Sequence, residues 1–475
     1  MKCVAILLAL YTLCFTGLAV RKFTAMNSNG GDASALIQAF WHTVHGKLMY
    51  VPGIGMSYFG NHAGLLVLWA VPLYWVAPSA STLYFAQSLS IGASGLPFYL
   101  LSRKVLGDRL VAGLMTAGYL FYPTVVTNHL DQLHLEAFGL PFLLAATYFF
   151  FEQRMGLFLV CALLGMMGQE NLPFTVGVFG VYAAVRRRGI KWVAAPILLA
   201  AVYGIFAFKV LMPYFAGGTA FYASGYHLVL GRTSDEFLKA LVTQPWRLAG
   251  DMLDWGRVVY LVQMLQPLLW ITPLVVPEFL LAVPALGMNL VLDDSYRVIA
   301  WHYGPTTGAF LCVAAVFGVR RLASMLETHW HLTQPRVALA LCVCALSVAS
   351  WPFWFNLSEL MPQRYQPTLR RAVELVSTGR SVVAPSTLIA QVAGRETPVL
   401  WTQFDQRTRQ PTTWPVERMY TMDYVILDAN ERRFPQEMAT RELIMSFYTN
   451  TNYELTLNEN NVFVFRRRET ASGMN

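Results

Sequence analysis

Apolar runs long enough, or nearly long enough, to cross a bilayer constrain this chain more than any motif. They recur at about 3–19, 82–101, 109–126, 137–151, 156–168, 172–185, 192–212, 258–272, 276–291, 305–319 and 337–353. A spanning helix needs roughly 20 apolar residues. Several of these runs are shorter, which predicts tilted or broken helices around a polar cavity. With 55% hydrophobic and 13% charged residues among 475, a soluble globular fold is excluded. The expectation is an α-helical integral membrane protein with about eleven transmembrane helices and additional juxtamembrane helices.

Charge falls unevenly along the chain. Residues 360–475 hold 26 of the 62 acidic and basic side chains, so this last quarter reads as a water-soluble domain beside a membrane domain over 1–355. Its pattern is α/β. "SVVAPSTLIAQVAG" (381–394) predicts a strand then a helix, "MDYVILD" (422–428) a strand, and "YELTLNENNVFVFRRR" (453–468) a hairpin turning at "NENN".

The net charge of +8 invites a nucleic-acid reading. The bases, however, sit in short loops beside apolar runs: Arg103, Lys104 and Arg109; Arg186, Arg187, Arg188 and Lys191; Arg320, Arg321 and Arg336. The positive-inside rule accounts for them without nucleic acid. All six cysteines fall within apolar spans, so neither a disulfide framework nor a CxxC metal site is indicated.

If those basic loops are cytoplasmic, eleven spans place the C-terminal domain outside, provided that "GLLVLWAVPLYWVAP" (64–78) does not cross. Its length and central Pro72 suit a juxtamembrane or re-entrant helix. Residues 1–19 are read as a retained helix, with a signal peptide as the alternative. The outward polar segments are then 20–63, 127–136, 169–171, 213–257 and 292–304. Within 213–257, "TSDEFLKALVTQPWRLAGDMLDW" reads as an amphipathic helix on the outer leaflet.

Carboxylates close to hydrocarbon are costly and mark pathways, substrate sites or structural ion pairs. Asp131 and His134 at i, i+3 share a helical face, and His134 and Glu136 at i, i+2 share one side of an extended segment. Either geometry offers candidate ligands for a divalent metal, against the plainer reading of a polar loop capping the next helix. Glu170 sits in "GMMGQENLPF" (165–174), where Gly168 and Pro173 frame a helix reversal. Asp32 is expected to N-cap a helix carrying Leu36, Phe40 and Val44 as an apolar stripe. His62 reads as a hydrogen-bonded interfacial residue. In "DDSYRVIAWHYGP" (293–305), Arg297, His302 and Tyr303 suit a lipid-linked phosphate, or else snorkelling and an aromatic belt.

These stretches together resemble a known family. Asp32, "QAFW" (38–41) followed by "HGK", "NH" (61–62), "DQLHLEAF" (131–138), "QEN" (169–171), "VPEFLLAVPALGMN" (276–289), "HYGP" (302–305) and "DYVILD" (423–428) occur in the order seen in a bacterial and archaeal family of predicted membrane proteins of unknown function, grouped with the GT-C glycosyltransferases. The resemblance implies a GT-C-like membrane core with an outward cavity. There, an acidic residue of the first outward loop, matched by Asp32, acts on a sugar supplied by a polyprenyl phosphate. Asp131, His134 and Glu136 match a second acidic site and would orient the acceptor or a divalent metal. Lys47, His62, Glu170, Arg257, Arg297, His302 and Tyr303 are the further candidates, the cations among them for the departing lipid phosphate. Ile37, Leu135, and Gln169 with Asn171 depart from the family's usual Asp, Pro, and Lys with Asp. A membrane protein that handles a lipid headgroup or ion without chemistry, or a transporter, is the alternative.

Overall fold

The structure is a computed structural model describing residues 2–27, 30–218, 243–244, 246, 254–270, 272–292, 294–301, 303–397, 399–401, 416–430 and 436–469. The amphipathic segment expected at 233–255 lies almost wholly outside these described residues, as does His302. The chain divides into two compact units. The first comprises Met1–Ala19, Phe59–Ala70 and Leu83–Asn356; the second comprises Val20–Tyr58, Val71–Thr82 and Leu357–Asn475.

Most of each apolar run of the first unit falls on helix, although the 258–272 run leaves helix after Leu268. Among the described residues, four helices are long and apolar enough to cross a membrane: Lys2–Ala25, Ile190–Ala216, Pro305–Trp330 and Pro335–Trp354. A fifth span is broken, Arg109–Leu120 and Pro123–Asp131 meeting at a 45° bend. Asp108 starts it by accepting from the N–H of Val111 (2.9 Å), and Pro123 restarts it at a position where its missing N–H costs nothing. The Glu136–Phe151, Met155–Met166, Leu172–Val185 and Pro277–Val291 segments are apolar but too short to cross upright. Glycine lets two of them meet closely, since a Cβ on Gly168 would stand 2.9 Å from the Gly139 Cα. Pro305–Trp330 is the central helix. Buried residues make up 61% of its most apolar stretch, against 17–22% in the other three long helices, whose outer faces are left for lipid. Leu65–Val76 is helical over only twelve residues, too short to span.

In the second unit, a five-stranded sheet joins β3 (Val382–Ala384), β4 (Val399–Trp401), β5 (Tyr424–Asp428), β6 (Tyr453–Glu459) and β7 (Val462–Arg467) in the order β4-β3-β5-β7-β6. A small hairpin of β1 (Tyr50–Val51) and β2 (Met56–Ser57) stands apart from it in the chain. β3 runs parallel to β4 and β5, and β7 antiparallel to β5 and β6. Alternation sends Tyr424 and Ile426 to one core, with Leu369 and Ala372 of the Gln366–Glu374 helix. Val425 and Leu427 go to the other, with Ile444 and Phe447 of the Gln436–Thr449 helix. The result is the expected small α/β domain. Its hairpin turns on Asn460 and Asn461, both at positive φ, as a two-residue turn requires.

The helix expected after β3 is not formed. Pro385 O accepts from Leu388 and Ile389, but the Ser386 carbonyl that would continue the helix is taken by the N–H of Gly30 at 2.8 Å. A side chain at Gly30 would collide with Ala390, its Cβ 2.8 Å away.

Candidate functional site

The polar site of the first unit begins at chain breaks. After Pro123–Asp131 the backbone extends through Gln132, and a buried amide on the Ala80–Leu106 helix braces it: Gln87 Nε2 donates to Gln132 O (2.9 Å) and Gln87 Oε1 accepts from His134 N (2.7 Å). This sets Asp131 Oδ2 3.4 Å from His134 Nε2. Glu136 does not join them. Its carboxylate turns to the start of the central helix and accepts from Thr306 N at 3.2 Å, where the first turn's unsatisfied N–H groups and dipole favour an anion. Among the described residues, no three His, Cys, Asp or Glu side chains group closely enough to hold a metal. Asp131, His134 and Glu136 are thus not gathered into such a group in the described residues, and Glu136 Oε1 accepts from Thr306 N.

Glu136 faces a second polar centre instead. Tyr260, on the Trp255–Leu265 helix, interacts electrostatically with Glu136 and Arg297, and its hydroxyl accepts from Asn289 Nδ2 at 2.8 Å. Asn289 also donates to Tyr303 O at 2.9 Å. Arg297 donates to Leu292 O (2.9 Å) and Arg257 to Leu290 O (2.8 Å), so two buried guanidinium groups gather at the C-terminal end of the Val283–Val291 helix. Cations suit that end of a helix dipole. Tyr303 packs against Tyr296 with ring centroids 4.1 Å apart and the rings tilted by 32°.

Glu170 sits in the reversal between Met155–Met166 and Leu172–Val185 and is 1% exposed. His62 Nδ1 lies 2.9 Å from Glu170 Oε1, and the N–H of Ala63 donates to Oε2 at 3.1 Å. Burial pushes the Glu170 carboxyl up, but the His62 charge and these hydrogen bonds outweigh it and hold the group below its ordinary range. A carboxylate only accepts, so His62 Nδ1 carries the proton in this pair.

In the second unit, Asp32 is the second residue of the Gly31–Val44 helix, not its N-cap; Gly30 holds the cap position. The correction follows from the Gly30–Ser386 bond, which starts the helix two residues earlier than the side-chain pattern implies. A carboxylate in the first turn is favoured by the dipole. Lys47 is exposed in the turn after this helix, its N–H donating to His42 O at 2.8 Å. His42 itself is buried and went unremarked as a site residue. Burial, then the Lys47 charge, lower its affinity for a proton. Gln87 and Tyr260 are further site residues whose only signal is an amide or phenol inside a stretch otherwise read as a span, whereas Asn289 closes the family-like "VPEFLLAVPALGMN" stretch without being singled out there.

The family model described as Predicted membrane protein (DUF2079) matches residues 22–464. The chain belongs to this family. No curated protein matches it. Solved structures similar to it include ArnT from Cupriavidus metallidurans bound to undecaprenyl phosphate, with TM-score 0.55, 12% identity, and 98% of this chain and 99% of that chain covered. ArnT from the same organism in the apo state gives 0.53 and 11%, covering 95% and 97%. At such identity the likeness is one of fold. The family and the long apolar helices make this DUF2079 member a multi-pass membrane protein; its fold is GT-C-like, as the resemblance implied, with the small C-terminal sheet domain that the strand pattern predicted.

Proposed function

We propose that the chain is an inverting GT-C-type glycosyltransferase that takes its sugar from a polyprenyl-phosphate carrier at the outer face of the cytoplasmic membrane. On this reading residues 1–355 form the membrane domain and residues 360–475 an extracytoplasmic domain. The observation that carries it is one buried carboxylate and two buried guanidinium groups inside an apolar helical unit: Glu136 and Arg297 each interact with Tyr260, and Arg257 lies at the same helix end as Arg297. Charges in such surroundings cost several kcal/mol unless paired, and function is the usual reason for keeping them. The fold likeness to a protein crystallised with undecaprenyl phosphate adds support.

The reaction needs a base for the acceptor and compensation for the leaving phosphate. Asp32 takes the proton of the acceptor hydroxyl as that oxygen bonds to the anomeric carbon. The bond from that carbon to the phosphate oxygen breaks, and the phosphate leaves with the bonding pair. Arg257 and Arg297 are the cations assigned to its charge, with Lys47 and His302 as further candidates. Asp131, His134, His62 and Glu170 are assigned to sugar or acceptor hydroxyls, and Tyr303 to the sugar face.

The test supplies the purified chain with polyprenyl-phosphate sugars and follows release of polyprenyl phosphate. Wild type is expected to release it, and Asp32→Asn to fall by at least about 10²-fold, as loss of a general base does. Equal release by both removes Asp32 from the mechanism; no release by either favours a lipid-binding protein without chemistry.

A further inference from the structure

A groove of about 670 Å³ runs along the outer side of the first unit, between the Leu172–Val185 and Ile190–Ala216 helices. Small residues make it. Gly177, Ala200, Ala201 and Gly204 form a low floor, while Phe174 (58% exposed) and Ile205 (63% exposed) stand up as rims. From Ile197 to Lys209 the lining follows one helix for about 18 Å, more than half of a hydrocarbon core of roughly 30 Å.

One end of the groove differs from the rest. Among the described residues that line it, Lys209 alone has a polar side chain, and it lies in the π-helical turn Ala207–Leu211 that interrupts the long helix. That end is also where the chain reverses at Gln169–Asn171. Gly204 packs against Pro173, a Cβ there falling 3.6 Å from Pro173 Cβ, and Pro173 follows Glu170 by three residues. The adjacent Tyr203 interacts electrostatically with Glu170, and its buried hydroxyl has no hydrogen-bond partner among the described residues. The groove therefore leads from lipid-facing apolar surface to the polar reversal, with a single cation where the two meet.

We infer that this groove binds the isoprenoid chain of a polyprenyl phosphate, with Lys209 pairing to the phosphate; the inference rests on the proposed function and assigns its lipid a place. The lining selects among lipids. A glycerophospholipid brings ester and headgroup oxygens that need donors, and the described lining offers no side-chain donor beyond Lys209. A polyprenyl phosphate is apolar everywhere except its phosphate, which matches a groove apolar everywhere except one ammonium group.

The experiment uses the full chain in phosphatidylcholine nanodiscs with a diazirine-tagged polyprenyl phosphate, and diazirine-tagged phosphatidylglycerol in a parallel arm. Saturable labelling is expected on peptides spanning 173–181 and 197–209. It should fall about tenfold in Lys209→Gln, the scale of one lost charge-assisted bond, and recover in Lys209→Arg. Gly177→Phe, which fills the floor, should lose the same labelling, with size-exclusion behaviour reporting its folding; Lys209 is exposed, so its variants carry the test if that one misfolds. Saturable binding that labels other helices, or that is unchanged in Lys209→Gln, overturns the groove and leaves the proposed function standing. Equal labelling of these peptides by phosphatidylglycerol also overturns it, making the groove an ordinary lipid-contact surface. No saturable binding of polyprenyl phosphate at all overturns both readings.

Discussion

The Glu136 carboxylate accepts a hydrogen bond from the backbone N–H of Thr306, 170 positions away, at the first turn of the central helix. One acid thus ties the helix it begins to the start of another and neutralises that helix's positive end. Glu136→Gln keeps an acceptor and should cost less than about 1 kcal/mol. Glu136→Ala leaves a buried N–H without its acceptor and should cost about 1–3 kcal/mol. Thermal melts in detergent check the order. Equal melting of the two variants would show that the bond contributes nothing.

Glu170 gives the first unit an acid limit. Its carboxyl titrates below the ordinary value of about 4.5 when folded, because the His62 charge and hydrogen bonds with His62 and Ala63 outweigh burial. The ionised form therefore stabilises the fold. That contribution is fully present above pH 4.5 and disappears as pH falls through the lower folded value. Melting temperature should drop over that acid window in wild type and drop less in Glu170→Gln, which should itself be the less stable protein at neutral pH.

How far the sequence was legible follows from the range of the forces involved. Apolar runs mark helices because burial against lipid or protein acts on every residue of a run, so Met155–Met166 and Leu172–Val185 appear even though neither can cross upright. The Asn460–Asn461 turn was readable for a local reason, since asparagine tolerates the positive φ that a two-residue hairpin demands. Long-range pairings were not readable. The Ser386 carbonyl that ends the helix expected after β3 is captured by Gly30, more than 350 residues earlier in the chain, and the same bond moves the helix start away from Asp32. The proximity of Asp131, His134 and Glu136 in sequence suggested one ligand set, but Thr306 claims Glu136 from a distant helix. Gln87 escaped notice because one amide in an apolar run carries no period.

His42 should make the second unit sensitive to mild acid. Burial, and then the Lys47 charge, depress its folded affinity for a proton, and Glu396 opposes them only in part. A depressed imidazole stabilises while neutral. Its contribution is present above the ordinary value of 6.5 and lost as pH falls below it, toward the folded value. Limited proteolysis of the full chain should cut the second unit faster at pH 5.5 than at pH 7.5. His42→Gln should flatten that difference. An unchanged pH response in the variant would place the sensitivity elsewhere.

Arg297 separates a structural from a functional cation. It donates to Leu292 O at the end of the Val283–Val291 helix and interacts electrostatically with Tyr260, so a purely structural role predicts that Arg297→Lys, which keeps the charge, loses about 1 kcal/mol of stability and little else. A role in holding the departing phosphate predicts more. The planar fork matches phosphate with two hydrogen bonds, which an ammonium group cannot reproduce. Arg297→Lys should then lower kcat for sugar release by about 10²-fold while the protein remains folded, with Arg297→Ala lower still. Stability and kcat measured on the same preparations decide between the two. A variant that melts normally but turns over slowly assigns Arg297 to the phosphate, whereas loss of stability with unchanged kcat leaves it as the cap of its helix.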